Sequence, residues 1–348
     1  MAGGDIVLVT GVSGFIGGAV CRLLCQRGYR VRALVRRTSP RTNIGPSVEV
    51  VESDILDRAG VRGAMTGARF LFHLAADYRL WTPDPEELLR VNVEGARIVM
   101  QEALRAGVER VVHTSSVATL APEKFGLSNE SRRLPLEKAI GAYKRSKILS
   151  ERLVDAMIES ERLPAVIVNP SAPLGPGDLR PTPTGRIIFE AIRGRIPAFV
   201  NTGLNIAHVD DVAGGHLAAL ERGRIGEHYI LGGDNVRLFT MLEEVAHLSS
   251  RTPPRFRLPR LPLVPIAFVN EMLATLSGKE PFLSRESLRL SAAPMHFDDS
   301  KARRELGYVS RPYQEAIADS VHWFRHREAY RGSEVASTCK DDRVHPRA

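Results

Sequence analysis

The chain has 348 residues, 43% of them hydrophobic and 25% charged, with three cysteines and a formal net charge of +8. This is the composition of a globular protein long enough to bury its own core, and it excludes a small scaffold stapled by disulfides. The excess arginine is scattered without interleaved aromatics, so nucleic acid is not an expected partner.

Cys21 and Cys25 stand four apart in a predicted helix and Cys339 lies in a polar tail, a usage that fits buried thiols in a reducing cytoplasm. No basic leader followed by an apolar run opens the chain, and no stretch reaches the roughly 18–20 apolar residues of a membrane span. The run Leu258–Leu276 comes nearest, but it holds Arg260, three prolines, Asn270 and Glu271. It reads as a helix over a greasy substrate pocket or as a segment in peripheral contact with a membrane.

In chain order, Asp5–Thr10 is a short apolar run ending at glycines, as a buried parallel strand should be. A helix is predicted over Gly14–Arg27, closed by Gly28. Further strands are predicted at Tyr29–Val35, Val48–Val51, Arg69–Leu74, Glu109–Thr114 and Pro164–Asn169. Helices are predicted at Pro85–Ala106, ended by Gly107, and at Leu136–Glu161. This alternation predicts an α/β fold with a doubly wound parallel sheet of Rossmann type. Past Asn169 proline and glycine become dense, which predicts a smaller C-terminal substrate-binding cap with some segments returning to the sheet. The expected division is residues 1–170, 171–330 and a disordered tail at 331–348.

Thr10-Gly11-Val12-Ser13-Gly14-Phe15-Ile16-Gly17 places three glycines at steps of three between a strand and a helix. The first permits a tight turn, the second lets backbone approach a pyrophosphate, and the third lets helix pack on strand. The helix start then offers free N–H groups and a positive dipole end to phosphate. Nineteen residues past Gly17 stand Arg36 and Arg37, where an acidic residue would select NAD. A guanidinium there matches the 2′-phosphate of NADP(H), and Arg41 adds charge. Asp54, after the third strand, is placed to reach the adenine edge or to cap the next helix.

Tyr143 and Lys147 are four apart in a helical pattern and therefore share a face. A nearby ammonium favours the phenolate, which makes Tyr143 a workable general acid or base. Ser115 and Ser116 end the fifth strand, at the edge where such sheets bind ligands. Small residues Ala75 and Ala76 end the fourth. Tyr78 and Trp81 follow it as candidate pocket walls, and Arg186 could meet an anionic group. His73, His113 and His208 show no metal-ligand spacing and read as structural.

In that order and spacing, the glycine loop, His73-Leu-Ala-Ala76, Ser115-Ser116 and Tyr143-x-x-x-Lys147 resemble the extended short-chain dehydrogenase/reductases, as does Asn205–Ala213. The resemblance implies a Ser116–Tyr143–Lys147 triad, with Tyr143 exchanging the proton, Lys147 holding the nicotinamide ribose and Ser116 orienting a carbonyl. It also implies cofactor contacts from Thr10, Ile55, Ala75, Ala76, Ser115, Asn169, Pro170 and Ser171, and a homodimer through the helices carrying Asn92 and Tyr143. Within the family, Asp77–Trp81, Val168–Ser171 and Pro181–Arg186 resemble hopanoid-associated sugar epimerases, and the chain is also similar to dihydroflavonol-4-reductase-like proteins. Asp77, Tyr78, Trp81, Thr184 and Arg186 are thereby expected beside a small-molecule substrate. The expected function is NADP(H)-dependent carbonyl reduction; the alternative is a sugar epimerase or dehydratase that retains its cofactor, and a binding protein without turnover is disfavoured by the intact triad.

Overall fold

The computed structural model describes residues 4–277, 281 and 283–326. The expected tail at 331–348, with Cys339, lies outside the described residues. In the first half, β1 (Ile6–Thr10), α1 (Phe15–Gln26), β2 (Arg30–Val35), β3 (Glu49–Glu52), α2 (Arg58–Met65) and β4 (Ala68–His73) alternate as predicted, with α2 added. There follow α3 (Pro85–Leu89), a π-helical turn at Arg90–Glu94, α4 (Gly95–Ala106), β5 (Arg110–Thr114), α5 (Gly141–Glu161) and β6 (Ala165–Pro170).

The predicted helix Pro85–Ala106 is thus one run interrupted by a π turn, and the predicted helix from Leu136 starts later. Leu136–Lys138 is a single 3-10 turn, the chain extends at Ala139 and Ile140, and α5 begins at Gly141. Gly141 has φ +80°, and a Cβ there would lie 2.0 Å from a carboxylate oxygen of Glu286. That conformation and that neighbour break the helix which the propensities of residues 136–140 allow.

After β6 come β7 (Ala172–Leu174), α6 (Pro183–Ile192), β8 (Ala198–Phe199), β9 (Gly203–His208), α7 (Val209–Arg222), β10 (His228–Leu231) and β11 (Asp234–Arg237). The remainder is α8 (Leu238–Ser249), β12 (Phe256–Arg257), α9 (Leu263–Ser277), α10 (Arg285–Leu290), α11 (Ser300–Leu306) and helical residues 313–326.

Seven strands form the main sheet in the order β10-β6-β5-β4-β1-β2-β3, and every neighbouring pair is parallel. All seven carboxyl ends therefore open on one edge, and the strand order reverses between β1 and β4, where ligands of such sheets bind. Alternation along β1 sends Val7 and Val9 to one face with α1 and α7, and Leu8 to the other with α2, α4 and α5. A smaller core packs Leu174, Ile188, Ile206, Val236, Met241 and Phe324 around the β11-β9-β7 sheet.

Two helical glycines should respond to alanine with opposite signs. A Cβ on Gly17 would lie 2.1 Å from the Gly11 carbonyl oxygen, whereas Gly63, exposed in α2, has nothing within 4 Å. Alanine gains up to about 1 kcal/mol of helix propensity at either site. At Gly17 the backbone clash costs about 1–3 kcal/mol. Urea unfolding should therefore show Gly63→Ala stabilised and Gly17→Ala destabilised.

Candidate active site

The switch point between β1 and β4 is closed by glycine. Gly11 has φ +79°, and a Cβ there would lie 2.6 Å from the Ala75 amide nitrogen, so only glycine lets the two strand ends meet. Gly14 is the N-cap of α1, offers no side chain to the first N–H groups, and its own N–H donates to Gly11 (2.9 Å). The first turn of this twelve-residue helix carries no acidic residue. An uncapped helix start beside a glycine cradle fits the pyrophosphate of a dinucleotide. Asn43 braces this loop from outside, donating to the carbonyls of Gly14 (3.4 Å) and Gly177 (3.1 Å).

Thr10 is buried, its hydroxyl shared with His73 Nδ1 (2.8 Å) and accepting from the Ala75 N–H (3.2 Å). It ties β1 to β4 beneath the cradle. Phe15 is buried in α1, and Ile16 packs against the same core. Arg36 and Arg37 are exposed past the end of β2 and form no ion pair among the described residues. Arg41 does not add a free charge, because it is paired with Glu52. Asp54 does not cap α2: that cap is Asp57, accepting from the Ala59 N–H (3.1 Å), while Asp54 accepts from the Leu56 N–H (2.9 Å). Ile55 is buried and fills the space above Gly95, whose Cβ would lie 2.6 Å from its Cδ1.

Ser116, Tyr143 and Lys147 come together at the carboxyl edge of β5. The Ser116 and Tyr143 side chains are neighbours there, and Lys147 Nζ donates to the Thr114 carbonyl (2.9 Å). Burial pushes the Tyr143 phenol above its ordinary value, and the neighbouring Ser116 hydroxyl pulls the other way. Lys147 is turned down to the β5 backbone, and its charged neighbour is Glu151. Burial lowers the Lys147 ammonium to about 8, against the opposing pull of Glu151. Beneath it, His73 and His113 stack at 5.5 Å. Burial, and then Lys147, press His73 down to about 3 and His113 well below its ordinary value, so both rings are neutral.

The structure adds supporting residues that motif spacing did not single out. Glu151, one turn past Lys147, is buried and accepts from Ser115 Oγ (2.5 Å), Thr119 Oγ1 (3.0 Å) and Asn169 Nδ2 (2.9 Å). Ser115 and Asn169 thus point their side chains at α5. The sequence signal was there in the Tyr143, Lys147, Glu151 spacing of four, which puts a carboxylate on the same helix face. Asn92 sits in the π turn and is buried. Its amide nitrogen donates to Ser146 Oγ (2.8 Å) and to the Asp77 carbonyl (2.8 Å), and its oxygen accepts from the Asp77 N–H (2.6 Å). Ser146 in turn donates to the Tyr143 carbonyl (2.8 Å), so the β4 loop, the π turn and the tyrosine are one hydrogen-bonded chain.

On the substrate side, Tyr78 is 38% exposed and donates to the Arg180 carbonyl (3.2 Å), joining the loop after β4 to the one before α6. Asp77 is paired with Arg79. Trp81 and Thr184 are half-buried, and Arg186 reaches the Pro281 carbonyl (3.5 Å). Asp178, buried and unflagged by the sequence, accepts from the Thr182 N–H (2.9 Å) and hydroxyl (3.0 Å) and fixes the start of α6. Pro170 is buried, and the Ser171 hydroxyl is buried with no hydrogen-bond partner among the described residues. Ala75 and Ala76 lie half-buried at the end of β4.

Comparison with known proteins agrees with this geometry. The family model described as "NAD dependent epimerase/dehydratase family" matches residues 7–232. A protein of Synechocystis sp. named "Putative dihydroflavonol 4-reductase" is 42% identical over 92% of this chain and 95% of its own length. The "Sterol demethylase protein B" of Methylococcus capsulatus is 38% identical over 92% of this chain and 98% of its own length. The solved structure of gox2253 superposes with a TM-score of 0.84 at 47% identity, covering 93% of this chain and 98% of that one. On these matches the chain belongs to the NAD dependent epimerase/dehydratase family, the extended short-chain dehydrogenase/reductases, whose members are NAD(P)-dependent enzymes.

Proposed function

We propose that this protein is an NADP(H)-dependent reductase of a carbonyl on a medium-sized, largely apolar organic molecule. The observation that carries this reading is the meeting of Ser116, Tyr143 and the buried Lys147 ammonium, which donates to the Thr114 carbonyl, at the carboxyl edge of the sheet. When bound, the reduced nicotinamide supplies a hydride to the carbonyl carbon. Tyr143, held protonated by burial, donates its phenolic proton to the carbonyl oxygen. Ser116 hydrogen-bonds the same oxygen and keeps it in line with the phenol. Lys147 holds the ribose hydroxyls and keeps a positive charge beneath the tyrosine as negative charge develops. Gly11, Gly14 and Gly17 cradle the pyrophosphate, with Ala75 and Ala76 allowing the ribose to come close.

Arg36 and Arg37 support NADP(H) over NAD(H), because two exposed guanidiniums follow β2 where an acidic residue would select NAD, and the carboxylate of Glu52 on the next strand is taken up by Arg41. A reductase also accords with the name of the Synechocystis relative, and an apolar substrate with that of the Methylococcus one. The alternative, an epimerase or dehydratase that oxidises and re-reduces one bound sugar, requires a nucleotide that stays bound through each cycle.

Tyr143→Phe should lower kcat for carbonyl reduction by roughly 10²–10⁴-fold, the span of general acid catalysis, and leave NADPH affinity within about twofold. A variant that lost NADPH binding to the same degree would remove Tyr143 from proton transfer. The Lys147 ammonium, lowered to about 8, is charged below that pH and neutral above it. The kcat/KM for NADPH should therefore fall as pH rises through about 8, and Lys147→Arg, charged throughout, should move that limb to higher pH. Superimposable pH profiles for the two proteins would contradict this assignment.

A further inference from the structure

The helix α9 is turned inside out for a surface helix in water. The residues it buries are small, Ala267 and Ala274, while Val264, Ile266, Phe268, Val269, Met272, Leu273 and Leu276 are 42–83% exposed. A soluble helix normally does the reverse, with its large apolar side chains toward the core. Just before it, Phe256 is 68% and Leu261 85% exposed, so the apolar surface continues through β12 and the connecting segment. Patches of this kind mark interaction surfaces.

The charge around the patch identifies what it meets. Arg251, Arg255, Arg257 and Arg260 are all exposed in the ten residues leading to the patch, and none forms an ion pair among the described residues. Arg260 stands at the N-terminal end of α9, where the helix dipole is itself positive. Within α9 the single charged residue is Glu271, and it is taken up by Arg285 of α10: the Arg285 N–H and guanidinium donate to it at 2.7 and 2.6 Å. The exposed face is therefore apolar and its border cationic. The fifteen residues of α9 span about 22 Å, less than the roughly 30 Å of a bilayer's hydrocarbon core. Among the described residues no helix is long and apolar enough to cross a membrane. A helix of this length and exposure suits the surface of a bilayer and not its span.

We propose that α9 and the arginine-rich segment before it dock this protein on a bilayer containing anionic phospholipid, and that the apolar substrate enters from there. The second clause rests on the function proposed above. The route is short. The Arg285 guanidinium packs over the Phe268 ring (5.2 Å), coupling α9 to α10. In α10, Glu286 fills the space beside Gly141, the first residue of α5 and two positions before Tyr143. A molecule leaving the bilayer along α9 meets the entrance to the catalytic edge.

Vesicle flotation with the full chain tests this. Phosphatidylcholine vesicles containing phosphatidylglycerol should bind it, and pure phosphatidylcholine should bind it more weakly. Arg257→Ala and Arg260→Ala should each weaken partitioning onto the anionic vesicles roughly fivefold, from the contribution of one cation near such a surface. The double variant Val269→Glu/Leu273→Glu, at exposed positions, should abolish it while leaving NADPH binding and reduction of a water-soluble carbonyl unchanged. Loss of those two activities in the wild-type chain would count against the reductase reading and leave vesicle binding to stand alone. Sedimentation of a dimer that Val269→Glu/Leu273→Glu dissociates, with no binding to either vesicle, would overturn the proposal and assign the face to a second copy.

Discussion

The buried carboxylate of Glu151 is the point on which the placing of Ser116, Tyr143 and Lys147 depends. A buried carboxyl group is costly unless it is hydrogen-bonded, and here donors from the end of β5, the turn after it and β6 converge on its Oε2. That demand pins α5 to the ends of two adjacent central strands. Lys147 is then held one turn earlier, over the Thr114 carbonyl, and Tyr143 two turns earlier, against Ser116. A second tether from Asn92 through Ser146 to the Tyr143 backbone fixes the start of the same helix. The proposed reacting groups are thus braced at the start and at the middle of α5.

The electrostatic layout follows from that anchor. Lys147 keeps its charge in a buried place because the two imidazoles beneath it are neutral and Glu151 lies one turn away. Charge of the same sign appears where the sheet edge meets solvent, at Arg36 and Arg37, and again around α9. The net +8 of the chain is thus not an undirected surplus: part of it faces the two places where phosphate-bearing molecules are proposed to bind.

Much of the fold was legible because buried parallel strands read as apolar runs and glycines punctuate them. The strands of the first half and the glycine loop fall within a residue or two of their predicted bounds. What escaped depends on contacts between distant segments. The late start of α5 is set by Glu286, some 145 residues downstream of Gly141, and no local propensity contains it. The π turn at Asn92 arises inside a sequence that reads as continuous helix. Arg41 looked like a free cation because its partner, Glu52, lies on the neighbouring strand. Tyr143 and Lys147 were visible as a spacing of four, and Ser116 joined them only through the family resemblance, whereas Glu151 needed the structure to show that Ser115, Thr119 and Asn169 turn toward it. For Leu258–Leu276 the sequence left two readings open, a cover over a pocket or peripheral contact with a membrane, because an apolar run does not say which way its side chains face.

The most direct test of the central claim, an NADP(H)-dependent reductase, is titration calorimetry of the purified full chain with NADPH and NADH, alongside Arg36→Asp. The account predicts reversible binding with NADPH favoured by roughly tenfold or more, from charge-assisted hydrogen bonds to the 2′-phosphate, and a preference that collapses in the variant. NAD(H) retained through purification, or equal affinities unchanged by Arg36→Asp, would contradict it and favour the epimerase.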